Sequence, residues 1–305
     1  MTCSKKIVAL MSSYNGEKYI EEQIHSIFKQ EGKYEIELII RDDGSQDETV
    51  KIIERLAYIY NIKLIRDGKN MGPAYSFMVL LKESPIADYY AFVDQDDIWY
   101  ECKLNTFINE MNIAQIPKLC FSNAKLIDDN NGELGMVYKA TPSVNLMSVA
   151  CGGGILGCTV MFNYALARYF INREMPEKII MHDMYVSVVC KAIGGELAYI
   201  NCSTVKYRQH YSNVVGVDYK LLKKIKDRLL YPFETQNISI ADQAANILKI
   251  YNKDIPEIEK EELSLIAEYR RSFFKRLKLV FTKRTKYLSK SIAYRNRMAI
   301  LFGNK

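Results

Sequence analysis

Residues 88–99 read Asp-Tyr-Tyr-Ala-Phe-Val-Asp-Gln-Asp-Asp-Ile-Trp. Asp88–Val93 reads as a buried strand, and it runs straight into Asp94-Gln95-Asp96-Asp97, three carboxylates in four residues. Carboxylates this close repel one another unless a cation or a proton offsets their charge. Hard oxygen ligands suit Mg²⁺ or Mn²⁺, which keep waters and bridge to phosphate oxygens. Taken alone, an Asp-x-Asp is equally a solvated acidic turn or a helix cap. Its place among the neighbouring elements decides between the readings.

Upstream, Lys6–Ser12 (KIVALMS) reads as a buried strand, and after Asn15-Gly16 the apolar Ile20, Ile24, Ile27 and Phe28 fall at helical spacing. Ile36–Arg41 is a second strand. Ser45-Gln46-Asp47-Glu48 matches a capping box, with Val50, Ile53, Leu56 and Ala57 following along one helical face. Ile62–Arg66 is a third strand, and Pro73 stands where the next helix begins. Strands alternating with helices predict an α/β fold, a mostly parallel sheet flanked by helices.

In such a sheet ligands bind beyond the carboxyl ends of the strands. Ser12-Ser13-Tyr14-Asn15, Asp42-Asp43-Gly44-Ser45, Asn70-Met71-Gly72 and Asp94–Asp97 each follow a strand, so all four polar clusters share one edge. That agreement favours a site over an acidic turn. A tight β-to-α turn accounts for Gly44 and Ser45. It leaves Asp42 and Asp43 unexplained, and a carboxylate there can accept the ring N–H of a pyrimidine base. Tyr14 can stack on that base, and Ser12 or Ser13 can bond to it.

Beyond residue 115, Leu119–Ile127 reads as a strand before an Asp-Asp-Asn-Asn-Gly turn, and Cys158–Phe162 as another. A helix over Met184–Ala192 leads into a last strand, Thr204–Arg208. From Asp218 onward the pattern is helical. Cys151-Gly152-Gly153-Gly154 lacks the Lys-Ser/Thr of a P-loop and the spacing of a dinucleotide fingerprint, and reads as a closely packed or flexible segment on the acceptor side.

Four runs, Ser13-Tyr14-Asn15-Gly16-Glu17-Lys18-Tyr19-Ile20, Arg41–Ser45, Asn70-Met71-Gly72 and Asp94–Trp99, resemble a family-2 glycosyltransferase in residues, order and spacing. The resemblance continues through Gly157-Cys158-Thr159, Met181-His182-Asp183 and Tyr207-Arg208-Gln209-His210, and in detail is similar to bacterial rhamnosyltransferases of surface polysaccharide synthesis. It implies a GT-A (Rossmann-like) fold, an inverting mechanism and a divalent cation, Mn²⁺ or Mg²⁺. Residue by residue, it implies that Asp42 holds the pyrimidine with Tyr14 and Ser12 beside it. Asp94 then lies near the ribose and diphosphate, Asp96 is the principal metal ligand, and Asp183 is the general base. Ser13, Asn15, Asp43, Asn70 and Gln95 complete the nucleotide-sugar site. Many relatives carry Glu-Asp where this chain has His182-Asp183, so the base is retained and its partner differs.

The chemistry asks for these roles on its own terms. A single displacement needs a carboxylate such as Asp183 to take the acceptor's proton, and a metal on Asp96 can offset charge on the departing diphosphate. Asp183 can also cap the helix that follows it. Arg208 and His210 can close over the diphosphate, His210 as a further metal ligand.

The expected organisation is a catalytic domain over 1–217, with a nucleotide half over about 1–100 and an acceptor half over about 101–217, then a helical basic extension over 218–305. Seven cysteines without a C-x-x-C pair indicate neither a disulfide framework nor a zinc site. A strand at the very start leaves no room for a signal peptide, and no apolar run reaches the roughly 18–20 residues of a membrane span. From Arg270 to Lys305 there are twelve Lys or Arg and no Asp or Glu, interspersed with Phe273, Phe274, Phe281 and other apolar residues. Such a segment either packs a helix on the domain or lies in an anionic membrane surface; no recognition motif joins it to nucleic acid.

The sequence therefore predicts an inverting enzyme in the cytoplasm, held at the inner face of the membrane. It moves a sugar, rhamnose from dTDP-rhamnose being the sugar the resemblance suggests, from a nucleotide-diphosphate donor to a lipid-linked saccharide. The rivals are a UDP-hexose or UDP-N-acetylhexosamine donor, and a non-catalytic sugar-nucleotide-binding scaffold.

Overall fold

Strand β1 (Lys5–Ser13) sends alternate side chains to the two faces of the central sheet. Val8 and Leu10 join one core cluster with Ile39, Tyr90 and Phe92, while Ile7, Ala9 and Met11 join the other with Leu38, Ile40, Ala91 and Val93. Burying each large aliphatic side chain is worth about 1.5–3 kcal/mol, and a register slip would exchange the two faces. The computed structural model describes residues 4–111, 116–152, 154–171, 173–209 and 238–303.

In the first half, β1, β2 (Tyr34–Asp42), β3 (Ile62–Arg66) and β4 (Tyr89–Asp94) are parallel, in the order β3-β2-β1-β4. Beyond β4 the parallel pattern stops. β8 (Val160–Asn163) is antiparallel to both β4 and β6 (Lys118–Ile127), and β6 is parallel to β9 (Glu196–Arg208). The two-residue β5 (Ile98–Trp99) and the short β7 (Glu133–Met136) add antiparallel edges on β9 and β6. The sheet is thus parallel where nucleotide binding was expected and mixed elsewhere. β9 begins eight residues earlier than Thr204, because Glu196–Ser203 pairs with β6 through a register shift that breaks the alternation expected of a strand.

Helices α1 (Ile20–Phe28), α2 (Thr49–Ala57) and α4 (Lys103–Met111) cover one face through Ile20, Ile24, Ile27, Ile53, Leu56, Leu104 and Phe107. Helices α3 (Gly72–Lys82), α6 (Tyr164–Ile171) and α7 (His182–Ala192) cover the other, with the one-turn α5 (Leu146–Ala150) beside them. Pro73 sits in the first turn of α3, as expected.

The capping box at Ser45–Glu48 does not form: α2 is entered through Glu48 without a side-chain cap. The Ser45 hydroxyl instead donates to Asp42 and accepts from the Asn15 N–H, so it ties strand ends together rather than starting a helix. Asp47 takes over the helix entry, accepting from the Thr49 N–H and from the Glu17 N–H.

The C-terminal helices are α8 (Ile240–Tyr251), α9 (Glu257–Glu268), α10 (Phe273–Phe281) and α11 (Lys290–Phe302). Ile247, Leu263, Ile266, Leu279, Val280 and Ile300 are buried in the same cluster as Val8 and Phe92. The Lys286 N–H donates to Ser148 Oγ at 2.8 Å, which fixes the basic segment onto α5. The helical pattern over residues 218–237 lies outside the described residues.

Candidate active site

Parallel register places the polar clusters side by side. Ser12 pairs with Asp94 on one flank and Arg41 on the other; Ser13 pairs with Asp42, and Asp42 with Arg66. Above this edge lies a cavity of about 730 Å³. Ser12, Tyr14, Asn15, Asp43, Asn70, Asp94, Gln95, Asp96 and Asp183 line it, joined by Asp129, Phe77, Leu156, Gly157 and His182.

The loops around the cavity are held by groups expected to bind ligand. Gln95 grips the backbone of Tyr14 with both ends of its amide, accepting the N–H at 2.9 Å and donating to the carbonyl at 3.0 Å. The same amide lies against Gly16, where a Cβ would come within 2.3 Å of Gln95 Oε1, so any side chain there would displace it. Asp42 does not line the cavity. Its carboxylate accepts from the Ser13 and Ser45 hydroxyls and the Gly44 and Ser45 N–H groups, closing its own turn.

Asp43 does line the cavity, and it also receives the Met71 and Gly72 N–H groups and the Ser76 hydroxyl, which places the Asn70 loop. Behind it the fully buried Arg41 guanidinium bonds Asp43, Ser76, Asp67 and the Lys69 carbonyl. Tyr14 is half exposed and lines the cavity.

Arg208 is placed differently from the expectation that it closes over a diphosphate. It is buried and absent from the cavity lining. Its guanidinium donates to the carbonyls of Asp96 and Asp128, to Asn131 Oδ1 and to Glu22 Oε2, and it stacks 4.6 Å over the Tyr19 ring. Arg208 therefore braces the Asp96 loop from behind, locking it to the 128–131 turn. His210 lies outside the described residues.

The acidic cluster divides by burial. Asp97 is fully buried, accepts the Arg208 N–H at 3.0 Å, and leaves Oδ2 without a hydrogen-bond partner. Burial, then the charges of Asp96 and Asp94, push its pKa well above the usual carboxylate range. Asp94 is raised to about 8 by burial, with Asp96 and Asp183 adding repulsion. Ligand atoms of Asp94, Asp97 and Cys158 lie within 4.8 Å of one another.

Lys103, which the sequence reading did not single out, is buried beside them, donating to the Cys158 carbonyl at 2.7 Å and sitting 4.1 Å over the Trp99 ring. Burial lowers its pKa to about 7 against the opposing pull of Cys158, Asp97 and Asp94. Its one sequence signal was a lysine in the first turn after the acidic loop. Asp129, likewise passed over as a turn residue, reaches the cavity and accepts the Tyr19 hydroxyl at 2.7 Å.

Across the cavity, α7 starts at His182 with Met181 as its N-cap residue, so Asp183 stands in the first turn rather than at the cap. Its Oδ1 accepts the Met184 N–H at 2.6 Å. Burial raises the Asp183 pKa to about 6, offset in part by backbone N–H groups of Met184 and Gly157. That is a carboxylate ionised at neutral pH yet basic enough to take a proton. The glycine-rich segment lies elsewhere: Cys151 is buried, and the Gly154 carbonyl accepts the Tyr138 hydroxyl at 2.5 Å.

The chain is similar to known proteins in sequence and in fold. The model of Glycosyl transferase family 2 matches residues 9–115. The chain is 30% identical over 232 residues to dTDP-rhamnosyl transferase RfbG of Shigella flexneri, covering 71% of this chain and 77% of that protein. It is 29% identical over 223 residues to the UDP-Glc:alpha-D-GlcNAc-diphosphoundecaprenol beta-1,3-glucosyltransferase WfgD of Escherichia coli, covering 72% and 83%. The structure of S. aureus TarS 1-349 in complex with UDP-GlcNAc superposes with a TM-score of 0.55 at 18% identity, covering 97% of this chain and 90% of that one, a likeness of fold. The matched segment spans the strand edge that carries the acidic loop, and the chain belongs to glycosyl transferase family 2, a glycosyltransferase of GT-A fold.

Proposed function

We propose that the chain carries out an inverting single displacement, moving a sugar from a nucleotide-diphosphate donor to a hydroxyl of a saccharide acceptor. One observation carries this reading: Asp94 and Asp96 at the end of β4 and Asp183 at the start of α7 line the same cavity. The nucleotide half, residues 1–100, offers Ser12, Tyr14, Asn15, Asp43 and Asn70 to the base, ribose and diphosphate. Asp42 and Ser13 support that surface from the turn behind it, Gln95 holds the Tyr14 loop, and Arg208 holds the Asp96 loop.

In the acceptor half, residues 101–217, Asp183 takes the proton of the acceptor hydroxyl as its oxygen bonds to the anomeric carbon. The bond to the diphosphate oxygen breaks on the opposite face, so the configuration inverts. Asp183 then releases the proton to solvent.

Asp96, with Asp94 beside it, would hold Mn²⁺ or Mg²⁺. Carboxylate oxygens fit such an ion, whereas Cys158, whose sulfur lies within 4.8 Å of Asp94 and Asp97 ligand atoms, is a soft ligand that hard cations do not favour. When bound, the ion offsets charge on the departing diphosphate. His210 is assigned a supporting ligand role on the resemblance alone.

For the donor we propose dTDP-rhamnose, supported by the name of the Shigella relative; a UDP-hexose or UDP-N-acetylhexosamine is the second reading, supported by the names of the E. coli and S. aureus proteins. A diphosphoundecaprenol-linked saccharide in the name of the E. coli relative supports a lipid-linked acceptor. The helical basic extension, 218–305, supports docking on the inner face of the membrane. No helix among the described residues is long and apolar enough to cross a membrane. Phe273, Phe274, Phe281 and Tyr294 are nevertheless exposed amid the cations of α10 and α11, the pattern of an interfacial surface.

Calorimetry and turnover with Mn²⁺ and a panel of dTDP-rhamnose, UDP-glucose, UDP-galactose and UDP-N-acetylglucosamine test the reading. One donor should bind tightly and turn over. Tight binding without transfer to any saccharide acceptor would favour the scaffold reading and refute the enzymatic one.

A further inference from the structure

His182 begins α7 immediately before Asp183, and only 2% of its surface remains exposed. Its ring stacks on Phe77, centroids 3.8 Å apart and planes 24° from parallel, and meets Phe92 edge to face at 4.7 Å. Neither ring nitrogen has a hydrogen-bond partner. Buried polar atoms are rarely left so, and a residue wanted only for stacking would be served by phenylalanine, which leaves no nitrogen stranded.

His182 lines the cavity together with Asp183, Gly157 and Phe77. A Cβ built on Gly157 would lie 2.9 Å from His182 Nε2 and 3.3 Å from Asp183 Oδ2. His182 Nε2 and Asp183 Oδ2 therefore both lie against Gly157, which puts no side chain between them.

We propose that His182 is a substrate-contacting residue, its Nε2 hydrogen-bonding a sugar hydroxyl in the space before Gly157, next to the hydroxyl whose proton Asp183 takes, and so selecting the sugar. The proposal rests on the reading of this cavity as the transfer site with Asp183 as its base. Burial depresses the His182 pKa to about 3, so the ring is a neutral imidazole with one N–H and one lone pair. It can donate to a hydroxyl or accept from one without adding charge beside the base. The flat faces of Phe77 and Phe92 fix the ring plane, which makes its nitrogens directional.

The test compares the whole enzyme with His182→Phe, which keeps the stack and removes the nitrogens. Each is assayed with the donor that the panel selects and with donor and acceptor analogues lacking one hydroxyl at a time. In the wild type, removing the contacted hydroxyl should lower kcat/KM by about 10- to 100-fold, the effect of stranding a buried polar group. In His182→Phe the same removal should cost nothing, and discrimination between sugars differing at that position should narrow. If every analogue costs the variant what it costs the wild type, the proposal is overturned.

Should His182→Phe fail to fold, His182→Leu is put through the same comparison, which cancels any purely structural loss. His182→Gln, which restores an amide in reach of the hydroxyl, should recover part of the discrimination. Asp183→Asn is assayed in parallel: full turnover there sinks the base assignment, whereas an unchanged analogue profile in His182→Phe sinks only the role of His182.

Discussion

Gly157→Ala is the sharpest perturbation available, because it adds one methyl group beside the space in which a sugar hydroxyl is proposed to sit. Gly157 is buried in the short turn before β8, and its backbone dihedrals lie outside the left-handed region, so alanine is not excluded by the backbone. The new Cβ would stand 2.9 Å from His182 Nε2 and 3.3 Å from Asp183 Oδ2, closer than ordinary contact. His182 cannot swing aside cheaply, being stacked on Phe77 and wedged against Phe92. Overpacking of this kind costs about 1–3 kcal/mol of stability, read as a fall of a few degrees in Tm. The effect on catalysis should be larger. The methyl occupies the gap between base and imidazole, and misplacing a reacting group by about 1 Å costs on the order of 100-fold in rate. Turnover with the preferred donor should fall at least that far while donor affinity stays within about threefold, since the nucleotide edge is elsewhere. A variant that keeps wild-type turnover would show that substrate does not enter the space between Gly157, His182 and Asp183.

Asp96→Ala should lose Mn²⁺-dependent donor binding, measured by calorimetry with and without the ion; retention of both would remove Asp96 from the metal role. Arg208→Met should lower stability by about 2–3 kcal/mol, chiefly through stranded carbonyls of the Asp96 loop, since its partner Glu22 is half exposed and can turn to water. Denaturant unfolding reads this, and an unchanged midpoint would refute the brace. Replacing Phe273, Phe274 and Phe281 together by Ser should weaken co-sedimentation with anionic vesicles at least tenfold and leave turnover on a water-soluble acceptor intact. Equal sedimentation would refute membrane docking by α10. Truncation is the poorer test, because α10 and α11 also bury Leu279, Val280 and Ile300 in the core.

The strand edge was legible because its signals repeat: four apolar runs each end in a polar cluster, and parallel register then forces Ser12, Asp42 and Asp94 into neighbouring rows. What the sequence does not display is how lone pairs are spent. Asp42 and Asp43 look alike on paper. Yet Asp42 turns its oxygens to Ser13 and Ser45 while Asp43 faces the cavity and ties down the Asn70 loop. Arg208 reads as a diphosphate clamp for the same reason, since an arginine in a polar loop carries no mark of which way it points. Lys103 and Asp129 do not stand out in the sequence because their partners are distant in it, the Cys158 carbonyl and the Tyr19 hydroxyl. The antiparallel pairings of the second half were hidden by short strands, of which β5 has two residues and β8 four. Runs of that length carry no period to count.

The placement of Asp183 has a thermodynamic consequence that separates catalysis from stability. Its pKa rises from an ordinary value near 3.8 to about 6 on folding, because burial outweighs the backbone N–H groups that favour the anion. The native state then holds a proton more tightly than the unfolded chain between about pH 4 and 6. Stability contributed by this group is present below pH 4 and is lost as pH rises through 6. Two pKa units amount to about 3 kcal/mol withheld from the folded state at neutral pH. Asp183→Asn keeps an oxygen for the Met184 N–H and has no charge to bury. It should therefore be inactive in transfer and more stable than the wild type at pH 7, by a few degrees in Tm, with the gap closing near pH 4. The wild-type kcat/KM should fall about tenfold per pH unit below 6 and level off above 7, since the free enzyme must present the anion. The two profiles share one pKa and run in opposite directions. A base that activates a hydroxyl must be an anion short of solvent, and the same shortage destabilises the fold. Asp183→Asn that loses both activity and stability at pH 7, or a rate profile flat from pH 5 to 8, would show that the carboxylate is held for structure and not for the proton.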